Sequence, residues 1–309
     1  MTGEGPVKIG VLGWDRGDED PDSPGLAEAG RRLGHDTGLF LLDEVTYAAA
    51  PSGLRVLLGG EPADSFDAVI CRANLYGDWH HRPFTGWEER LERLQSISAV
   101  LGPRMFDPAE AWFAGYSKFL TAQKLAAAGL PAPPTRSATS MADVAAAVDS
   151  WGPTVVKPSF GLRAMDVERV TDPEDPAAVT LVERLLDSYG ALLCTPYYPT
   201  EFGEFRITVA GEVHPIDMLK LPAYGSWRVK TLEGATFERL DTPPDLADLA
   251  LRATRAMGLT LAGLDILPTT DGYVVLEVNP VAGFLNIFGA GPQWEIYAGV
   301  YDWIEKHAG

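Results

Sequence analysis

Two apolar runs near the end of the chain carry polar residues where a core strand resists them. Asp265 interrupts Gly263-Leu-Asp-Ile-Leu267, and Glu277 and Asn279 interrupt Val275-Leu-Glu-Val-Asn279. The Thr-Thr-Asp-Gly turn between them predicts a hairpin with strands over Leu264–Leu267 and Tyr273–Val278. Residues two apart in a strand share a face, so Glu277 and Asn279 project together while Leu276 and Val278 turn to the core. Asp265 on the partner strand can join them. Such a face is either solvated or a set of three hard oxygen donors suited to magnesium, which takes its other ligands from water and phosphate. A buried carboxylate with no counter-charge is costly, which weighs against a merely decorative role for acids set in apolar runs.

The rest of the chain reads as α/β modules. Strands are expected over Val7–Leu12, Thr37–Leu42 and Ala68–Arg72, with a helix over Gly25–Leu33 ended by Gly34. Helices are expected over Trp87–Leu101, Ser117–Ala128 and Ala142–Trp151, each ended by glycine or proline. The short strand Thr154–Pro158 carries Lys157, and Ala191–Thr195 is apolar again. A hairpin over Glu204–Val209 and Val213–Leu219 turns at Gly211. A helix over Pro243–Met257 ends at Gly258, and a helix over Trp294–Lys306 is expected to bury Trp294, Tyr297 and Tyr301. The boundaries drawn are 1–107, 108–191 and 192–309.

Cations form a second pattern. Lys157 ends an apolar strand, and its place there suits either a phosphate or a surface ammonium. Lys118, at a helix start, reads on its own as a surface lysine. The segment 159–167 after Lys157 could fold over phosphates with its backbone N–H groups, although Gly161 is its only glycine. Glu204 and Arg206 share a strand face, and Arg206, Lys220, Arg228 and Lys230 gather in one stretch, as ordinary surface charge or as a site.

Acids outnumber bases 43 to 25 in the 309 residues, a net charge of −18, which opposes nucleic acid or an anionic membrane surface as partner. The acidic loop Asp15–Asp22 reads as solvated, and GxGxxG is absent. The two cysteines, Cys71 and Cys194, cannot build a disulfide framework or a four-thiolate zinc site and read as small buried hydrophobes. No run is long enough to span a membrane and the start lacks a signal-peptide pattern, so a cytoplasmic setting is expected. His80 and His81, beside Trp79 and Arg82, read as a surface or substrate-cleft loop; adjacent residues seldom point at one metal ion.

In this order the pieces resemble the ATP-grasp family and, within it, the RimK-like amide-forming ligases. The resemblance runs over about residues 105–285. It rests on Ser117-Lys118-Phe119 through Pro131-Ala-Pro-Pro-Thr135, Val155-Val-Lys-Pro158, Glu204-Phe-Arg206, Ser226-Trp-Arg228 and Gly263-Leu-Asp265 to Glu277-Val-Asn279-Pro280. It implies an α/β ATP-grasp fold, α+β in its last part, with ATP between the central and C-terminal lobes. It implies that Lys118, Lys157 and Gly161 meet the phosphates, that Thr195, Pro196 and Tyr197 form the hinge reading adenine, and that Glu204 contacts the nucleotide. Arg206, Lys220, Arg228 and Lys230 would face the triphosphate or the carboxyl substrate. Asp265, Glu277 and Asn279 would bind magnesium, or manganese in its place.

The chain departs from the family pattern at the hinge, with Cys194-Thr195 for Gln-Glu, and after Asn279, where Pro-Val-Ala-Gly-Phe284 lacks a Pro-Gly pair. The expected activity joins a small carboxylate to an amine, on an amino acid, small peptide or specialised metabolite, through an acyl phosphate with release of ADP. The competing readings are a phosphotransferase on the same fold and a non-catalytic nucleotide-binding module. A homo-oligomer is compatible with any of the three.

Overall fold

Residues Ile9–Gly13 of β1 (Lys8–Gly13) are all buried, as suits a strand covered on both faces. The computed structural model describes residues 6–16, 19–76, 86–161, 164–229, 233–283 and 293–307. Helix α1 (Asp22–Leu33) closes at Gly34, whose φ of 96° is the left-handed conformation that glycine adopts most easily. β2 (Asp36–Leu41) pairs parallel to β1. A meander of β3 (Thr46–Ala50), β4 (Gly53–Leu58) and β5 (Glu61–Pro62) forms a small sheet of its own. β6 (Ala68–Cys71), α2 (Trp87–Leu101) and β7 (Met105–Phe106) then complete a parallel sheet in the order β2-β1-β6-β7.

Two helices follow with one residue between them, α3 (Ala109–Tyr116) and α4 (Lys118–Ala127). That residue is Ser117, whose Oγ caps α4 by accepting from Leu120 N at 3.2 Å. The next elements are β8 (Arg136–Ala138), α5 (Met141–Trp151), β9 (Thr154–Lys157), β10 (Glu168–Val170), α6 (Pro176–Tyr189) and β11 (Leu192–Pro196). Their strands form an antiparallel sheet in the order β10-β9-β11-β8. The break drawn at 191/192 therefore falls inside this sheet, and the chain leaves it only after Pro196. Val144, Val156, Val182, Leu185 and Cys194 give this lobe a core of its own.

The last sheet, β14-β13-β12-β15-β16, is antiparallel throughout. It comprises β12 (Glu204–Ala210), β13 (Val213–Leu221), β14 (Thr236–Arg239), β15 (Leu261–Thr269) and β16 (Gly272–Asn279). Helix α7 (Pro244–Met257) covers one face, packing Leu246, Ala250, Ala253 and Met257 with Ile207, Val209, Leu264 and Ile266. The same cluster continues into Leu94 and Ile97 of α2, so the first and last modules share a core. Helix α8 (Gln293–His307) reinforces that union: Tyr297 and Tyr301 pack against Leu26, and the Tyr301 hydroxyl donates to Leu26 O at 2.8 Å.

Some residues lie elsewhere than the sequence predicts. Trp294 is 40% exposed, because it lies one turn before the stripe Tyr297, Val300, Tyr301 and Ile304 that faces the core. The Asp15–Asp22 segment is not simply solvated. Asp20 accepts from Trp14 N and Ser23 N, both at 3.2 Å, and buried Asp22 lies 3.6 Å from buried Arg72. Both cysteines are free and buried, as expected. Among the described residues no helix is long and apolar enough to cross a membrane.

Candidate active site

With odd-numbered residues of β12 facing α7, the even-numbered ones turn to the opposite face of the sheet. Register aligns them. Arg206 stands opposite Asp265, Asp265 opposite Glu277, Gly263 opposite Asn279, and Glu204 opposite Lys220. The polar residues of three strand pairs thus form one row across the sheet. Gly263 makes room within it, since a Cβ there would come 3.1 Å from Cζ of Arg206 and 2.9 Å from Cβ of Ala282.

The row is a dense ion network. Arg206 Nη1 donates to Asp265 Oδ1 at 2.8 Å, and Lys220 Nζ reaches the same oxygen at 2.7 Å while pairing with Glu204. Asn279 Nδ2 lies 3.4 Å from Asp265 Oδ2 and 3.3 Å from Gly263 O. Burial would raise the Asp265 carboxyl, but Arg206 and Lys220 hold it below its ordinary range. Glu204 goes the other way: burial, with Asp265 adding to it, pushes it up to about 7 despite Lys220. Burial would lower Lys220, yet Asp265 and Glu204 hold its ammonium above the usual range.

The two lysines come in from the other side. Lys118, at the first turn of α4, lies 3.3 Å from Glu277 Oε1 and donates to Gly161 O at 2.9 Å. Its backbone N–H donates to Ser159 O at 3.0 Å, so the turn after β9 is stitched to the start of α4. Lys157, at the end of β9, is 8% exposed. Burial pulls its ammonium down to about 8, Lys118 adding to the effect and Glu277 and Glu204 opposing it. Lys118, Lys157, Thr195 and Leu276 line one small cleft with Pro133, Thr135, Ala122 and Leu193. Leu276 was expected in the core. A β-bulge between the pairs Asp265–Glu277 and Ile266–Val275 makes it the extra residue and turns it to the cleft.

Other expected residues are placed elsewhere. The side chains of Pro196 and Tyr197 are not in the cleft lining, and the Tyr197 N–H is taken by Pro153 O at 2.9 Å. The Tyr197 ring instead packs edge-on to Trp227, with Arg169 stacked over it. Arg228 pairs with Glu168 and Glu233, which ties the last module to β10 rather than to the Asp265 row. Lys230, His80 and His81 lie outside the described residues. Thr135 and Leu193 were not expected in the cleft, although the Pro-rich turn before Thr135 and the apolar run holding Leu193 mark their neighbourhood.

Four cations, Lys118, Lys157, Arg206 and Lys220, face three carboxylates, and one of those carboxylates binds its proton near neutrality. In a chain of net charge −18, this is a local excess of positive charge suited to a polyphosphate. Among the described residues no three His, Cys, Asp or Glu side chains gather as a metal cluster. The expected set has only two carboxylates, completed by an amide. Asp265, Glu277 and Asn279 together fit a hard cation that keeps water and phosphate in its shell.

A cationic cleft thus lies between a separately cored antiparallel lobe and a second antiparallel sheet. The family model describing the RimK-like ATP-grasp domain matches residues 115–289, more than half of the chain. The chain belongs to the RimK-like ATP-grasp family and is an ATP-dependent carbon–nitrogen ligase.

A curated relative, the tetrahydromethanopterin:alpha-L-glutamate ligase of Methanosarcina acetivorans, is 28% identical over 92% of this chain and 94% of its own. Among solved structures, the ATP-grasp ligase PsnB, complexed with a phosphomimetic variant of its minimal precursor, Mg and ADP, superposes with a TM-score of 0.68. It is 19% identical and is matched over 97% of this chain and 99% of that one. D-cycloserine synthetase DcsG superposes with a TM-score of 0.66 at 23% identity, over 95% of this chain and 99% of that one. At these identities the solved structures establish the fold.

Proposed function

We propose that the enzyme activates a carboxylate as an acyl phosphate, releases ADP, and passes the acyl group to an amine. A carboxylate oxygen attacks the γ-phosphorus of ATP, and the bond to the β-phosphate oxygen breaks. The amine then attacks the acyl carbon, and inorganic phosphate leaves as the amide forms. Neither step needs a protein nucleophile; each needs charge neutralisation at fixed positions.

Lys118 and Lys157 hold the phosphates from the α4 and β9 side. Arg206 and Lys220, already turned to the row of Asp265, meet the charge that develops on the transferring phosphoryl group. Asp265, Glu277 and Asn279 would hold magnesium, which when bound neutralises phosphate oxygens as a Lewis acid.

The observation that supports this reading most is the convergence of both lysines on the cleft beside Glu277, from elements far apart in the sequence. The curated relatives are named for glutamate addition and the solved ones for peptides and a small metabolite, so an amino acid or short peptide is the proposed substrate class. A screen of carboxylate–amine pairs for ADP release, with product masses, tests it. Stoichiometric loss of amine with ADP is expected. A phosphorylated product with no amine consumed would overturn the ligation step.

A further inference from the structure

A second cavity, of about 150 Å³, opens beside the lysine cleft, and of the seven described residues that line it six are aromatic. Tyr76 comes from the segment after β6, Trp87 from the start of α2, Phe113 and Tyr116 from α3, Phe160 from the turn after β9, and Tyr189 from the end of α6. The Trp87 ring stacks on Phe113 at 6.1 Å and 14°, and on Phe160 at 6.1 Å and 22°. Tyr116 and Tyr76 meet edge to face at 4.9 Å. The Tyr116 hydroxyl is occupied by Ala73 O and Leu75 N, each at 3.2 Å, and that of Tyr189 by Asp166 at 2.5 Å. Those two tyrosines therefore spend their polar ends on the protein.

Three facts bear on what enters. An apolar cavity of about this volume holds a single benzene-sized ring. Offset aromatic walls favour another aromatic ring over an aliphatic chain of equal area. The cavity also adjoins the chemistry: Phe160 sits between Ser159 and Gly161, whose carbonyls hold the backbone N–H and Nζ of Lys118. Phe160 of this wall is next in sequence to Gly161, whose carbonyl Lys118 Nζ meets, so the wall and the phosphate-facing lysine are one residue apart along the chain.

We infer that the aromatic cavity formed by Trp87, Phe113, Tyr116 and Phe160 is a specificity pocket that receives the aromatic side chain of the amino-acid or short-peptide substrate. This rests on the proposed ligase reading for the identity of its occupant. It separates this enzyme from relatives named for glutamate, because a γ-carboxylate set against these rings would lose its hydration, and none of the described residues lining the cavity is a cation.

The test is equilibrium binding of L-phenylalanine, L-glutamate, L-lysine and L-alanine to the full chain with magnesium and ADP, read by calorimetry and independent of turnover. Phenylalanine should bind about tenfold or more tighter than alanine or glutamate, as burial of one ring implies. Phe113→Ala should remove about tenfold of that preference and leave ADP affinity unchanged. Equal affinity for phenylalanine and alanine, or tightest binding by glutamate or by lysine, would overturn the pocket. If Phe113→Ala does not fold, the four-ligand comparison on the unaltered chain decides alone. Absence of ADP release with every carboxylate–amine pair would count against the ligase reading, while a phenylalanine preference in calorimetry would still uphold the pocket.

Discussion

Lys157 is the residue on which the electrostatics of the cleft turn. Its ammonium is buried and held down to about 8. Under the proposed assignment a phosphate beside it would stabilise the charged form, so nucleotide binding should raise its pKa again and take up a proton above pH 8. ATP affinity should therefore be full below about pH 8 and fall as pH rises through it. Calorimetry across pH checks this, and Lys157→Arg should flatten the profile. Lys157→Ala should weaken ATP binding roughly ten- to a hundredfold, the worth of a charge-assisted contact, and Lys306→Ala should not. Glu277→Ala and Asn279→Ala should keep the thermal transition and lose magnesium-dependent turnover; full activity in the folded double variant would remove the metal assignment. Alternation within Val275–Asn279 made that pair legible in the sequence, and Asp265 with it. Leu276 was not legible, because a bulge is a property of two strands in register and cannot be read from one. The engagement of Arg228 with Glu168 was hidden for the same reason, since the two residues meet only in the folded chain.

At the scale of elements, α3 holds the end of β16 in place. A Cβ on Gly115 would lie 2.7 Å from Cδ of Pro280 and 3.2 Å from Val278 O, so helix and strand end touch backbone to ring. Gly115→Ala should force them apart at a cost of about 1–3 kcal/mol, seen as a lowered Tm, and should reduce turnover through Asn279. An unchanged Tm would show that the contact yields freely. Helix α3 itself was missed in the sequence. Ala109–Tyr116 is short and mostly apolar, with Glu110 its one exposed residue, so it shows no polar face that would mark a period. Helices α2 and α4 were legible because each has a polar face and a firm stop at glycine. The meander β3–β5 was missed because its first strand is exposed throughout and lacks alternation.

Across the whole molecule, first and last modules share a core while the middle lobe keeps its own. Arg72 strengthens the shared part: it is buried, lies 3.6 Å from Asp22 and donates to Ala282 O at 2.8 Å, just beyond Asn279. Arg72→Met should lower stability by about 3–5 kcal/mol, because Asp22 would keep a buried charge with its cation gone; denaturant unfolding measures this. We propose that the middle lobe, with its separate core, is the part that closes on nucleotide. Amide exchange within β9 and β11 should therefore slow on adding ATP and magnesium more than exchange within β1 and β6. The shared core was not legible in the sequence, since it depends on α8 returning to α1 across the length of the chain. In the proposed reaction the carboxylate itself attacks phosphorus between the lobes. Isotope transfer tests that directly: with an ¹⁸O-labelled carboxylate, amide formation should deliver one label to the released inorganic phosphate, alongside ADP. Phosphate free of label, or label in AMP, would contradict the acyl-phosphate route.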